Sequence, residues 1–230
     1  MPEQGRDMLD QVEDAPQVEL LEKNRPRQAR AVKTYEAILS ATGELLVEVG
    51  LERISTNLIA ERAGVTVPAL YRYFPNKYAV LNAFGARVMD VQNEAFMQWH
   101  ANYVADKPIE SMVGSLYEML YATYEVTKAV TGGLQAMHGM MALAPLQEVR
   151  LQSHWALSDL FGAIWAEQYG VPFTEKTRMR ARVAVDLGFT SIQSALEDPR
   201  LGPEMALREG ATALRLYLEY ATEKAGVKND

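Results

Sequence analysis

Between Ser55 and Asn76 the chain carries two short helix signals that pivot on a single glycine, and this spacing limits the local fold more tightly than anything else in the sequence. Ser55 precedes Thr56, Asn57 and the pair Ile59-Ala60. This reads as a capped first helix, because a serine oxygen accepts from a backbone N–H that would otherwise be orphaned. Ala63-Gly64-Val65 stops that helix, since glycine takes the left-handed conformation a sharp exit needs. Thr66 can cap a second helix with Pro68 in its first turn, where a missing N–H has no partner to lose. Ile59, Ala63, Val65 and Leu70 supply an apolar seam between the two helices, leaving Val67, Ala69, Arg72 and Tyr73 for a partner. Such a pair is a helix-turn-helix, whose second member is shaped to enter a DNA major groove.

The net charge of −7 looks unsuited to DNA until it is divided along the chain. Residues 1–22 hold one basic and seven acidic side chains (net −6), and residues 23–77 hold nine basic and five acidic (net +4). Residues 78–230 hold thirteen basic and eighteen acidic (net −5), so the only positive block contains the motif. Segregation outweighs the total, because attraction to phosphate is screened beyond roughly 8–10 Å at physiological salt. With 48% apolar and 23% charged residues the chain has enough material for a real core. Its 230 residues suit a small domain joined to a larger one. The absence of cysteine excludes disulfides, thiolate metal sites and cysteine nucleophiles. No apolar stretch in residues 1–22 resembles a secretory signal. The most apolar region, Gly132–Leu146, is short and broken by His138 and Pro145, so no membrane span and a cytoplasmic location are expected.

Apolar residues recur at three and four throughout, and no segment shows sustained alternation, so the chain is expected to be all-α. Residues 1–22 read as a disordered acidic tail, residues 23–77 as the helix-turn-helix domain with a basic amino-terminal arm, and residues 78–230 as a larger helical domain. Within the first domain a helix is predicted from near Arg27 to Val49, closed by Gly50. Asn76 is placed to cap a long helix striped by Leu81, Phe84, Val88, Val91, Ala95 and Trp99. Further helices are predicted from Pro108, from Gly132-Gly133, from Pro145 to Gly170, from Thr174 to Asp198 and from Gly202-Pro203 to about Gly226.

From about Arg30 to Lys77 the chain resembles the tetracycline-repressor (TetR) family of bacterial transcription regulators. The residues that carry the likeness are Tyr35-Glu-Ala-Ile-Leu-Ser-Ala, Ile59-Ala60, Ala63-Gly64-Val65 and Leu70-Tyr71-Arg72-Tyr73-Phe74-Pro75-Asn76-Lys77. The resemblance implies a dimeric regulator on a palindromic operator, most simply a repressor released by a small effector. By position it places Val67, Pro68, Ala69 and Tyr73 at base edges, and Ser55, Thr56, Thr66, Tyr71 and Lys77 at phosphates. Arg72 can reach a guanine or a phosphate, and Arg25 and Arg27 of the arm can lie in the minor groove. Leu58, Pro68 and Tyr73 depart from the family's usual residues, which leaves the operator sequence open.

The resemblance also implies an effector cavity in the larger domain. Its expected lining is Trp99, Tyr117, Tyr121, Met137, His138, Met141, Trp155, Phe161 and Trp165, a set suited to an apolar, aromatic or acyl ligand. The last two helices are expected to form a homodimer surface through Ala181, Val185, Gly188, Ile192, Gly210, Leu214 and Leu218, since small residues at helical spacing let helices approach closely. Packing of the same residues within the subunit is the alternative. No cofactor and no metal are expected: the three histidines lack metal-ligand spacing, and neither a nucleophile set nor a phosphate-binding glycine loop is present. An all-helical enzyme, and a DNA-binding protein without small-molecule control, are the competing readings.

Overall fold

The computed structural model describes residues 22–23, 26, 28–104 and 113–225, which form helices joined by short turns, with no strand among them. Helix α1 (Ala29–Glu48) buries Tyr35, Ile38, Leu39, Leu45 and Leu46 along one face. A single turn, α2 (Gly50–Arg53), follows where the sequence reading had only a break. Four residues are too few for a helical period to register. Next come α3 (Thr56–Arg62), α4 (Val67–Tyr71) and the long α5 (Lys77–Trp99), which starts where Asn76 Oδ1 accepts from the Ala79 amide at 3.0 Å. A π-helical turn, His100–Val104, prolongs α5.

The second half comprises α6 (Leu116–Ala129), α7 (Gly133–Ala142), α8 (Ala144–Tyr169), α9 (Glu175–Glu197) and α10 (Pro203–Glu223). The helix start expected at Pro108 lies outside the described residues, as do Arg25, Arg27 and the acidic tail through residue 21. Thr174 and Thr177 cap α9 reciprocally, so two otherwise orphaned amides are satisfied at once. No described helix is long and apolar enough to cross a membrane.

Two apolar clusters organise the chain. One joins α1, α3, α4 and the first half of α5 with Ala136, Met137 and Met140 of α7 and Leu146 of α8. Residue 77 is therefore not a break in packing, because Leu81, Phe84 and Val88 extend the amino-terminal core along α5. The other cluster combines Phe96 and Trp99 with Leu116, Leu120 and Tyr124 of α6, Phe161 of α8 and the inner rows of α9 and α10. The two halves also meet at glycines. A Cβ on Gly43 of α1 would stand 2.3 Å from the Thr131 carbonyl oxygen and 2.9 Å from Phe84 Cζ. Opposite it, Gly132 turns with φ +82° against the Gly43 backbone, a conformation and a proximity that both exclude a side chain.

The residues expected at a dimer surface sit elsewhere. Ala181, Gly188, Ile192, Leu214 and Leu218 are buried inside the subunit, and Val185 is half-buried. A Cβ on Gly210 would meet Ser191 Oγ at 2.4 Å. Small residues at helical spacing do mark a close helix approach here, but it is α9 against α6, α8 and α10 within one chain. The outward faces carry different residues: Met179, Val183 and Leu187 on α9, and Met205, Leu216 and Tyr220 on α10.

Candidate nucleic-acid interface and interior cavity

The turn between α3 and α4 is built as its residue types demand. Gly64 has φ +65°, and the Val65 amide reaches the Ala60 carbonyl at 2.9 Å, closing α3. Thr66 Oγ1 then accepts from the Ala69 amide at 3.3 Å to open α4. Leu70 and Phe74 are fully buried and anchor α4 from behind, while Tyr35 stacks on Phe74 with ring centroids 5.3 Å apart. Thr66, Pro68, Tyr71 and Arg72 are exposed on the outer face, with Val67 and Ala69 half-buried beside them.

Tyr73 is a correction. It was expected to reach base edges, but it is 8% exposed and packs edge-on to Tyr35 at 6.2 Å. Its position three residues after Leu70 on the inward stripe turns the ring to the core, so it supports the second helix instead of presenting a reading group.

Four residues from two separate segments converge at one edge of this unit. Tyr71 Oη lies 3.2 Å from Thr56 Oγ1, and Ser55 Oγ accepts from the Leu58 amide at 3.3 Å. Lys77 Nζ donates to the Ile54 carbonyl at 3.4 Å, directly before Ser55. Three hydroxyls and an ammonium thus share an edge continuous with the exposed face of α4, a donor set matched to phosphate oxygens. Behind it, Arg62 bridges Glu44 and Glu48 of α1, so its charge is spent within the domain. The start of the arm meets the chain just beyond the carboxyl-terminal end of α4, where the Lys23 amide donates to the Tyr73 carbonyl at 2.7 Å.

The larger half carries a partly open cavity of about 70 Å³, and most of the lining expected from sequence is absent from it. Of the nine residues proposed, only Phe161 is in its wall. Trp99 and Trp165 are core residues with their indole N–H groups bound to Ser115 Oγ at 2.9 Å and to Thr222 Oγ1 at 3.0 Å. Met137 is buried in the amino-terminal cluster. Tyr121 is exposed, Tyr117 lies under Arg208, and Trp155 is covered by the guanidinium of Arg178 at 4.7 Å. His138 and Met141 border a separate open groove, where His138 pairs with Glu197. A stripe of aromatics does not distinguish residues that fill space from residues that surround it.

The cavity lies instead between α5, α6, α8, α9 and α10, with walls from Met89, Phe96, Leu157, Phe161, Phe189 and Leu214. Its polar members are Gln92, Asn93, Thr123, Ser153 and His154. Gln92 donates to Thr127 Oγ1 at 2.8 Å and Asn93 to Ser153 Oγ at 3.1 Å. His154 Nδ1 lies 2.9 Å from Asp186 Oδ1. Burial pushes the imidazole pKa down to about 4, against the pull of Asp186, so the ring is neutral near pH 7. Burial alone would raise the Asp186 carboxyl, but hydrogen bonds from Arg182 and His154 outweigh it and hold the group below its usual range. The sequence offered no signal for this pair, because its members lie 32 residues apart on different helices.

The family model for bacterial regulatory proteins of the tetR family matches residues 38–84. An uncharacterized HTH-type transcriptional regulator of Mycobacterium tuberculosis is 36% identical over 84 residues, which is 36% of this chain and 43% of that protein. The tetracycline repressor protein class C of Escherichia coli is 41% identical over 58 residues, 25% of this chain and 26% of the repressor. The chain matches less than half the length of each of these relatives, and the family model falls on the helix-turn-helix half. Over the whole fold, the crystal structure of a TetR-family transcriptional regulator from Streptomyces coelicolor superposes with a TM-score of 0.60 at 22% identity, covering 82% of this chain and 99% of that one.

Proposed function

We propose that this chain, whose amino-terminal part matches the model for bacterial regulatory proteins of the tetR family, is a DNA-binding transcriptional regulator that represses as a homodimer and is released by a small, largely apolar effector. The observation that carries the reading is the outer face of α4, where Thr66, Pro68, Tyr71 and Arg72 stand exposed on a helix pinned from behind by Leu70 and Phe74. Val67, Pro68 and Ala69 would meet bases, with Arg72 reaching a guanine or a phosphate. Ser55, Thr56, Thr66, Tyr71 and Lys77 would hold the backbone, and Arg25 and Arg27 the adjoining minor groove. Two such helices meet two half-sites about one helical turn apart when the subunits are related by a two-fold axis. The apolar outward rows, Met179, Val183 and Leu187 with Met205, Leu216 and Tyr220, are the surfaces suited to that axis.

The route for release is α5. Its first half is part of the amino-terminal core, and its second half supplies Met89, Gln92, Asn93 and Phe96 to the cavity wall. An occupant that favours a different α5 position shifts the spacing of the paired α4 helices and thereby lowers operator affinity. Selection from a random duplex library, followed by binding measured over a range of salt, tests the proposal. An enriched palindrome whose affinity falls steeply with salt is expected. No enrichment of any duplex at low ionic strength, or a strictly monomeric protein, would overturn it.

A further inference from the structure

We propose that His154 is the polar recognition group of the interior cavity, offering Nε2 as an acceptor to a compact, largely apolar ligand that carries one neutral hydroxyl or N–H donor. This rests on the reading of the cavity as the effector site and adds the chemistry of the molecule it takes.

The tautomer follows from the geometry. Nδ1 faces Asp186 Oδ1 at 2.9 Å, and an ionised carboxylate only accepts, so Nδ1 carries the proton and Nε2 keeps its lone pair. The ring is 3% exposed and is held edge-on to Phe189 with centroids 4.4 Å apart, which fixes its orientation. Nε2 has almost no accessible surface in the cavity as it stands and no hydrogen-bond partner among the described residues, so a ligand reaches it only as the cavity expands. The neighbouring amides of Gln92 and Asn93 already donate within the chain, to Thr127 and Ser153. A buried acceptor left open is a cost that only a donor relieves. Hydroxyl and N–H groups supply that donor, whereas a carboxylate presents acceptors alone and would face a neutral ring.

Size narrows the ligand further. The cavity of about 70 Å³ is smaller than the engineered cavity of about 150 Å³ that accepts benzene. A single ring therefore enters by displacing Met89 and Met119, whose unbranched thioether chains adapt readily.

Phenol, anisole, toluene and benzoate separate the possibilities, with binding to the full chain followed by calorimetry. Phenol is expected to bind about tenfold more tightly than anisole, in keeping with one buried hydrogen bond. Benzoate should bind more weakly than toluene. His154→Phe should remove the preference for phenol while keeping toluene. Asp186→Asn, at a partly exposed position, frees the ring to adopt the other tautomer and should shrink the phenol-to-anisole ratio several-fold. Equal binding of phenol, anisole and toluene would overturn the role of His154 while leaving the cavity a ligand site. An unchanged ratio in both variants would do the same. If no probe binds, the effector site itself is wrong, and this assignment falls with it.

Discussion

The two apolar clusters of this chain differ in what they do with aromatic residues. The amino-terminal cluster packs its aromatics on one another: Tyr35, Tyr73 and Phe74 are in mutual ring contact. The other cluster packs Phe96 against Trp99 and Phe161, yet borders free space holding a buried histidine. A surface that reads a rigid duplex needs its residues held in one geometry, so its support is filled. A site that takes a small molecule needs a void and a polar group not yet satisfied, and both lower stability. On the proposed function, the contrast would ask rigidity of one end of α5 and adaptability of the other.

Removing an aromatic from the filled cluster tests the first half of that contrast most severely. Phe74→Ala is expected to cost about 4 kcal/mol, the usual scale for emptying a fully buried phenylalanine site. Operator binding should be lost with it, since α4 loses its anchor. A loss under about 1 kcal/mol in urea unfolding would mean that the cluster is loose.

Acid addresses the second cluster. The folded-state pKa of His154 lies below its unfolded value of about 6.5, so below that pH the unfolded chain takes up a proton that the folded chain refuses. Stability should therefore fall as pH drops from about 6.5 to about 4, by about 3 kcal/mol from this group. Unfolding curves at pH 7 and pH 4.5, compared with those of His154→Phe, isolate its share. The same pH slope in both proteins would contradict the neutral buried ring.

The smallest effect sharpens the comparison at the α4 cap. Thr66→Ala removes the oxygen that accepts from the Ala69 amide and should cost about 1 kcal/mol in stability. Because Thr66 is also proposed to touch phosphate, operator affinity should fall by more than the stability loss explains, with the salt dependence unchanged because a neutral hydroxyl displaces no counterion. Equal affinity in both proteins would leave Thr66 a cap and nothing more.

How much was legible in the sequence follows the same division. Caps and breaks are local: Ser55, Thr66 and Asn76 each accept from an amide three residues ahead, and Gly64 turns with positive φ, as their residue types require. Faces chosen by distant partners were less legible. Tyr73 was read outward and packs inward on Tyr35. Ala181, Ile192 and Leu218 were read as a surface between subunits and lie inside one. Of the aromatics and methionines expected around a ligand, Phe161 alone borders the cavity, because a helical stripe states which residues share a face and not what the face meets.

By itself, then, the order of residues determined an all-helical chain, the positions of its caps and turns, and a positive block around the helix-turn-helix, all of which arise from interactions within a few residues. The tertiary structure alone decided which aromatics fill space and which border it. It also decided that His154 and Asp186 would meet, and which rows of the last two helices face outward. Those outcomes depend on how whole helices dock, and docking is settled by the summed shape of many side chains that no short window of sequence contains.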